Sequence, residues 1–165
     1  MIYHGSLEQV TELNKDRYLE LYRDHYGIQV LSAQEVCLLL RLHYKRGQLL
    51  YYSTISNVEG DILSAMAINS MDLADTQFQF SHLVTHTDYR QKGLAKKTIY
   101  NGAKFLVAAG AKLIQNHKRM NVIPSRYFEH MGFTEKLVDN EKYPEYKYLY
   151  TLDVDKANLP HLMNL

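Results

Sequence analysis

The stretch Thr85-His86-Thr87-Asp88-Tyr89-Arg90-Gln91-Lys92-Gly93-Leu94-Ala95-Lys96-Lys97 has the residue types of an anion seat. An alternating run, Phe78 to Val84, leads into it and a helical pattern, Leu94 to Ala109, leaves it. The join carries two bases, a glycine and an alanine, with no acid between Arg90 and the helix. Backbone N–H groups at a helix start lack intrahelical partners, and the helix dipole adds partial positive charge there. Small residues let a ligand approach that backbone closely. A strand, a basic turn and a helix in this order therefore predict a phosphate-binding seat. His82 precedes it and His86 lies at its start, and histidine titrates near neutrality.

The bulk properties set what surrounds this seat. At 165 residues, with 46% hydrophobic and 22% charged residues, the chain is expected to form one globular domain, 1–165. A net charge of +1 creates no global field for nucleic acid or an anionic membrane, so any anion site must be local. One cysteine, Cys37, allows no internal disulfide, and its apolar run suits a small buried residue. No apolar run reaches the length of a membrane span, and Met1-Ile2-Tyr3-His4 is not a basic-then-apolar leader. The expectation is a soluble cytoplasmic protein. The histidines show no mutual spacing for a metal.

The elements that hold the seat can be read in order. Ile2–His4 predicts a very short strand, and Ser6-Leu7-Glu8-Gln9 is a capping-box pattern opening a helix that Gly27 ends. A second capping box at Ser32 opens a helix ending at Gly47. Leu49–Ser56, Ile62–Asn69 and Gln77–Thr85 predict an antiparallel meander. In its third strand Phe78, Phe80, His82 and Val84 share one face, with Gln79, Ser81 and Leu83 on the other. After the helix closing at Gly110 come a strand at Lys112–Asn116, a brief helix from Asn121 to Gly132, and strands at Phe133–Val138 and Tyr146–Val154. The tail 158–165 is expected to be irregular. The order β-α-α-β-β-β-α-β-α-β-β predicts an α/β (α+β) fold. It has a mixed central sheet of six to seven strands flanked by about four helices. A right-handed crossover would set the strands of Val84 and Ile114 side by side and parallel.

Two motifs within this order resemble the GNAT superfamily of N-acetyltransferases. Arg90-Gln91-Lys92-Gly93-Leu94-Ala95 is similar to the family's acetyl-coenzyme A signature, with Leu83-Val84-Thr85 at the preceding strand end. Asn121 through Gly132-Phe133 resembles the stretch in which an Asn leads a short helix ending in Gly-Phe. The resemblance covers about residues 48–154 and implies transfer of an acetyl or other acyl group from acetyl-CoA to a primary amine of a small molecule or peptide. It implies a cofactor-binding core at about 76–133, in which Arg90 to Ala95 cradle the pyrophosphate. Leu83, Val84 and Thr85, beside a bulge, would hold the pantetheine arm and the thioester carbonyl, and an N–H there would stabilise the oxyanion. Asn121 and Phe128 would face the cofactor from the other side. No metal, nucleic acid or membrane partner is implied. Homodimers are common in the family.

The chain departs from the family pattern at two places. Gln79 stands eleven residues before Arg90, where many members carry a glutamate, and Phe128 stands seven after Asn121, where many carry a tyrosine acid. His82 or His86 as base, and Tyr127 or a tyrosine of the final strands as acid, are one substitute, with His82 and Tyr127 the expected catalytic pair. Orientation alone, with water carrying protons, is a second. A non-catalytic coenzyme A-binding or sensing module is the third. Tyr143, Tyr146, Tyr148 and Tyr150 fit either an acceptor pocket or plain strand propensity.

Overall fold

The computed structural model describes residues 2–11, 13–26, 50–72, 74, 76–118, 125–139, 141 and 148–154. Strands β1 (His4–Glu8), β2 (Leu50–Ser56), β3 (Ile62–Ser70), β4 (Gln77–Thr85), β5 (Leu113–Lys118), β6 (Thr134–Leu137) and β7 (Tyr148–Asp153) form one sheet. Its order is β1-β2-β3-β4-β5-β7-β6. Helices α1 (Lys15–Tyr26), α2 (Leu94–Ala108) and α3 (Ser125–His130) complete the described elements, with a 3-10 turn at Thr87–Tyr89. The expected mixed sheet is present with seven strands. The expected parallel pair is β4 with β5, in the register Phe78↔Ile114. The helix predicted over 32–47 and the tail lie outside the described residues.

Strand β3 shows how the layers are built. Met66 and Ile68 pack with Phe78, Phe80, Ile99, Ala103, Leu106 and Phe128 on the face covered by α2 and α3. Ala65 and Ala67 face the other way, into Tyr18, Leu21, Tyr22, Tyr52 and Val84 under α1. Each large side chain buried this way is worth about 1.5–3 kcal/mol of hydrophobic stabilisation. Both α2 and α3 end as predicted at a glycine. Ala111 N donates to Leu106 O at 2.9 Å, and Phe133 N to Phe128 O at 2.9 Å, the longer bond of a Schellman turn.

The N-terminus departs from its sequence signal. Ser6 is not a helix cap; it lies inside β1, which pairs with β2 from His4↔Ser56 to Glu8↔Tyr52. Five residues of ladder outweigh one capping box. The ladder is reinforced by side chains, with Ser6 Oγ 2.6 Å from Thr54 Oγ1 and Asn101 Nδ2 donating to Ser6 O at 2.8 Å. Helix α1 starts only at Lys15. Asn14 before it donates to Glu8 Oε1 at 2.9 Å, and Tyr18 donates to the same oxygen at 2.8 Å. Burial, followed by that carboxylate, pushes the Tyr18 phenol far above its usual range, so it stays a donor.

A buried chain of hydroxyls ties α2 to the sheet. Ser53 Oγ donates to Thr98 O at 2.7 Å. Thr98 Oγ1 lies 2.7 Å from Ser64 Oγ, which donates to Val84 O at 3.0 Å. Thr98 and Ser64 are fully buried, so each hydroxyl needs its partner. Thr98→Val should cost about 1–3 kcal/mol by leaving Ser64 one partner short. Thermal unfolding should show a fall in midpoint of about 2–4 °C per kcal/mol lost. An unchanged midpoint would mean the chain carries no stability.

Candidate functional site

Strand β4 is regular up to Phe80 and irregular beyond it. Ala67 pairs with Ser81 but Ala65 pairs with Val84, so His82 and Leu83 together oppose Met66. This is a β-bulge, and His82 sits in it with φ of 52°. The bulge flips the alternation. Phe78 and Phe80 face α2, Leu83 packs on that same cluster, and Val84 turns to α1. The single face expected for Phe78, Phe80, His82 and Val84 is therefore corrected: Val84 lies opposite the phenylalanines, because one extra residue shifts a period of two by half.

The bulge coincides with an opening in the sheet. β4 pairs with β5 only from Gln77↔Leu113 to Phe80↔Asn116. Beyond that point β5 runs on against β7, and β4 runs on against β3 alone. The two parallel strands part at Ser81. The turn from His86 to Gly93 follows at the carboxyl end of β4, with α2 leaving it.

That turn presents backbone and positive charge together. Gln91 and Gly93 have φ of 63° and 75°, and Gly93 caps α2 with no side chain bonded to its first N–H groups. The first turn of α2 carries no acid. A Cβ on Gly93 would meet no atom within 4 Å, so a larger residue there would obstruct a ligand rather than the core. Leu94 is buried against Ile55 and Leu63 and anchors the helix start, while Arg90, Gln91 and Lys92 are exposed. Lys92 Nζ lies 5.5 Å from the Tyr89 ring centroid, and Lys96 Nζ lies 5.1 Å from that of Tyr100.

The C-terminal end of α1 grips this strand end. Tyr22, fully buried, donates its hydroxyl to His82 O at 3.0 Å. Asp24 accepts from Thr87 N at 2.8 Å and Thr87 Oγ1 at 2.9 Å, with His86 Nε2 3.8 Å away. Partial burial opposes ionisation of Asp24, but the Thr87 bonds and the charges of His86 and Arg90 outweigh it and lower its pKa. The contribution of this carboxylate is thus present above the ordinary Asp range and is lost as pH falls through its lowered value. His25 Nδ1 lies within 3.4 Å of the backbone of Thr85 and 3.2 Å from Arg90 Nη2. No sequence signal marked His25 or Asp24; they read as polar residues in a last helical turn.

The remaining residues expected at the site are distributed as follows. His82 Nδ1 is 3.2 Å from Ser81 Oγ, with the ring half-buried at the bulge. His86 uses Nδ1 to accept from Asp88 N at 3.2 Å and sets its ring edge-on to Tyr89, so it serves the turn. The Phe128 ring is fully buried, stacked on Tyr150 at 4.6 Å and edge-on to Phe133 at 5.5 Å, and it holds α3 against β7. Tyr127 belongs to α3, its side chain outside the description, and Asn121 lies outside the described residues. Among the described residues no group of three or more His, Cys, Asp or Glu could hold a metal, and no helix is long and apolar enough to cross a membrane.

No protein-family model matches the chain, and no curated protein is similar to it in sequence. Solved structures are similar in fold. A chimera of the Vibrio cholerae spermidine N-acetyltransferase SpeG and hSSAT superposes with a TM-score of 0.70 at 14% identity, over 98% of this chain and 99% of the other. The ribosomal-protein-S18-alanine N-acetyltransferase of Escherichia coli gives 0.63 at 11%, over 90% and 91%. An acetyltransferase of the GNAT family from Staphylococcus aureus Mu50 gives 0.63 at 12%, over 92% and 99%. The chain has the GNAT acetyltransferase fold.

Tyr22→Phe isolates the clamp on the bulge, since it removes one hydroxyl and keeps the ring. It should destabilise the protein by about 1 kcal/mol. Amide exchange should accelerate at residues 82–85 more than within α2. Uniform acceleration across both would show that the hydroxyl supports the fold generally and not the bulge.

Proposed function

We propose that this protein is an acetyl-CoA-dependent N-acetyltransferase acting on a primary amine of a small molecule or a peptide. The observation that carries the reading is the parting of β4 from β5 immediately before the turn at Arg90. An extended pantetheine arm needs a strand edge with unpaired backbone groups, and β4 from Ser81 onward leaves β5. A pyrophosphate needs converging N–H groups without competing acids, and Arg90 to Ala95 at the start of α2 supply them. The distance between the two demands is set by Leu83, Val84 and Thr85. Asn121 and Tyr127 are proposed to complete the site, while the buried Phe128 ring supports α3 from within the core and does not face the cofactor.

In the reaction, the acceptor nitrogen attacks the thioester carbonyl to form a tetrahedral oxyanion. Collapse breaks the C–S bond, giving the N-acetyl product and the coenzyme A thiolate, which takes up a proton. A backbone N–H at the bulge would receive the oxyanion; such a donor is worth about 10²–10³ in kcat where one has been removed. Gln79 cannot take a proton, so the ammonium proton must leave by another route. His82 is the ionisable side chain within the opened stretch 81–85 and is proposed as the base, with Tyr127 proposed to protonate the thiolate. Neighbours in fold are named for spermidine and for the alanine of ribosomal protein S18, which supports a primary amine as the acceptor class.

Thiol release from acetyl-CoA should be followed with a panel of polyamines, lysine and peptide N-termini. Turnover with at least one amine is expected, and His82→Ala should reduce kcat by about 10²-fold. Gly93→Val should remove the thermal stabilisation by acetyl-CoA, which for the native protein is about 2.7 kcal/mol at a hundredfold excess over Kd. Its fold should survive, less the roughly 1–2 kcal/mol that a β-carbon costs at left-handed φ. Normal binding by Gly93→Val, or no turnover with any amine, would refute the respective part.

A further inference from the structure

One imidazole nitrogen stands between the two halves of the proposed cofactor site. His25 Nδ1 is 3.2 Å from Arg90 Nη2, 3.4 Å from Thr85 N and 3.3 Å from Thr85 O. Arginine offers donors only, so its contact requires an unprotonated Nδ1, with the His25 proton on Nε2. In that state Thr85 N–H also donates to Nδ1. A protonated ring would donate Nδ1–H to Thr85 O instead and set a cation against the guanidinium. The same nitrogen thus has two partner sets, chosen by one proton.

We propose that His25 is a positioning residue for coenzyme A, holding the Arg90 guanidinium and the Thr85 backbone in one frame while neutral and releasing Arg90 when protonated. This rests on the reading of the turn as the pyrophosphate seat. A guanidinium has five N–H donors, so one directed at His25 leaves others for phosphate oxygens and fixes the plane in which they lie. Without that anchor Arg90, exposed on a turn, would have to be ordered at the moment of binding. The charged groups of the described elements facing His25 are Arg90 from the turn and Asp24 from α1, with His86 beyond Asp24. Burial first, then the Arg90 charge, lowers the His25 pKa, against Thr85 and Asp24 which raise it. The neutral, anchoring form therefore prevails at neutral pH. Its contribution is complete above the ordinary histidine range and falls away as pH drops through the lowered value.

Calorimetric titration of coenzyme A, from about pH 5.5 to about pH 8, spans the histidine range. At the upper end His25→Ala should bind about tenfold more weakly, the scale of one hydrogen bond to a charged group. His25→Asn, whose amide oxygen can accept where Nδ1 does, should recover to within about threefold. Both proteins share the titration of the cofactor's own phosphates, so the wild type should lose affinity with acid more steeply than His25→Asn. Arg90→Met, followed by NMR of the His25 ring without ligand, should raise the imidazole midpoint. Equal affinity of His25→Ala and wild type, equal pH slopes, or an unmoved midpoint in Arg90→Met would each overturn the proposal. A wild type that binds no coenzyme A at any pH would refute the acetyltransferase reading, and this inference with it.

Discussion

The bulge at His82 and Leu83 is the constraint on which the rest of the site depends. One residue more on β4 than on β3 turns Val84 toward α1, lets the strand leave β5 and aims the following turn at the start of α2. A non-glycine residue at positive φ costs about 1–3 kcal/mol and persists only where its surroundings over-determine it. Here they do. The Tyr22 hydroxyl holds the His82 carbonyl from one face, and Ser64, itself reached by Thr98, holds Val84 O from the other. Two independent layers grip the same four residues.

The electrostatics of the turn follow from that grip. The chain is nearly neutral, with a net charge of +1, and yet Arg90 and Lys92 meet no acid in the helix that follows. Asp24, whose ionisation the Arg90 charge favours, accepts from the N–H and hydroxyl of Thr87. Its negative charge both stabilises the 3-10 turn and attracts Arg90. Arg90, Lys92, Lys96 and Lys97 still concentrate basic residues locally on a nearly neutral protein.

Local signals carried most of the fold. The meander, the crossover to β5 and the glycine ends of α2 and α3 are written in alternation and in turn residues, and these elements formed within a residue or two of expectation. The failures share a cause. Ser6 carries a sound capping pattern, but β2 lay ready to pair with it, and a ladder formed across about fifty residues is invisible in a window of four. The bulge is equally hidden, since alternation reads the same on either side of an inserted residue. His25 had no signal at all. Its role comes from Thr85 and Arg90, brought to it by the packing of α1 on Val84 and Ala65.

The bonds from α1 to the turn join residues far apart in sequence: Tyr22 to His82, Asp24 to Thr87 and His25 to Arg90 are separated by 60, 63 and 65 positions. During synthesis at about 5–20 residues per second, α1 waits roughly 3–12 s before its partners exist. The meander can pair locally in that interval; the ligand seat cannot. An emerging chain therefore passes through a state with much of its sheet and without the α1–turn contacts, and a ligand of that seat would select for completed molecules. A ligand that needs both α1 and this turn would stabilise the protein only after that long-range closure, not before it.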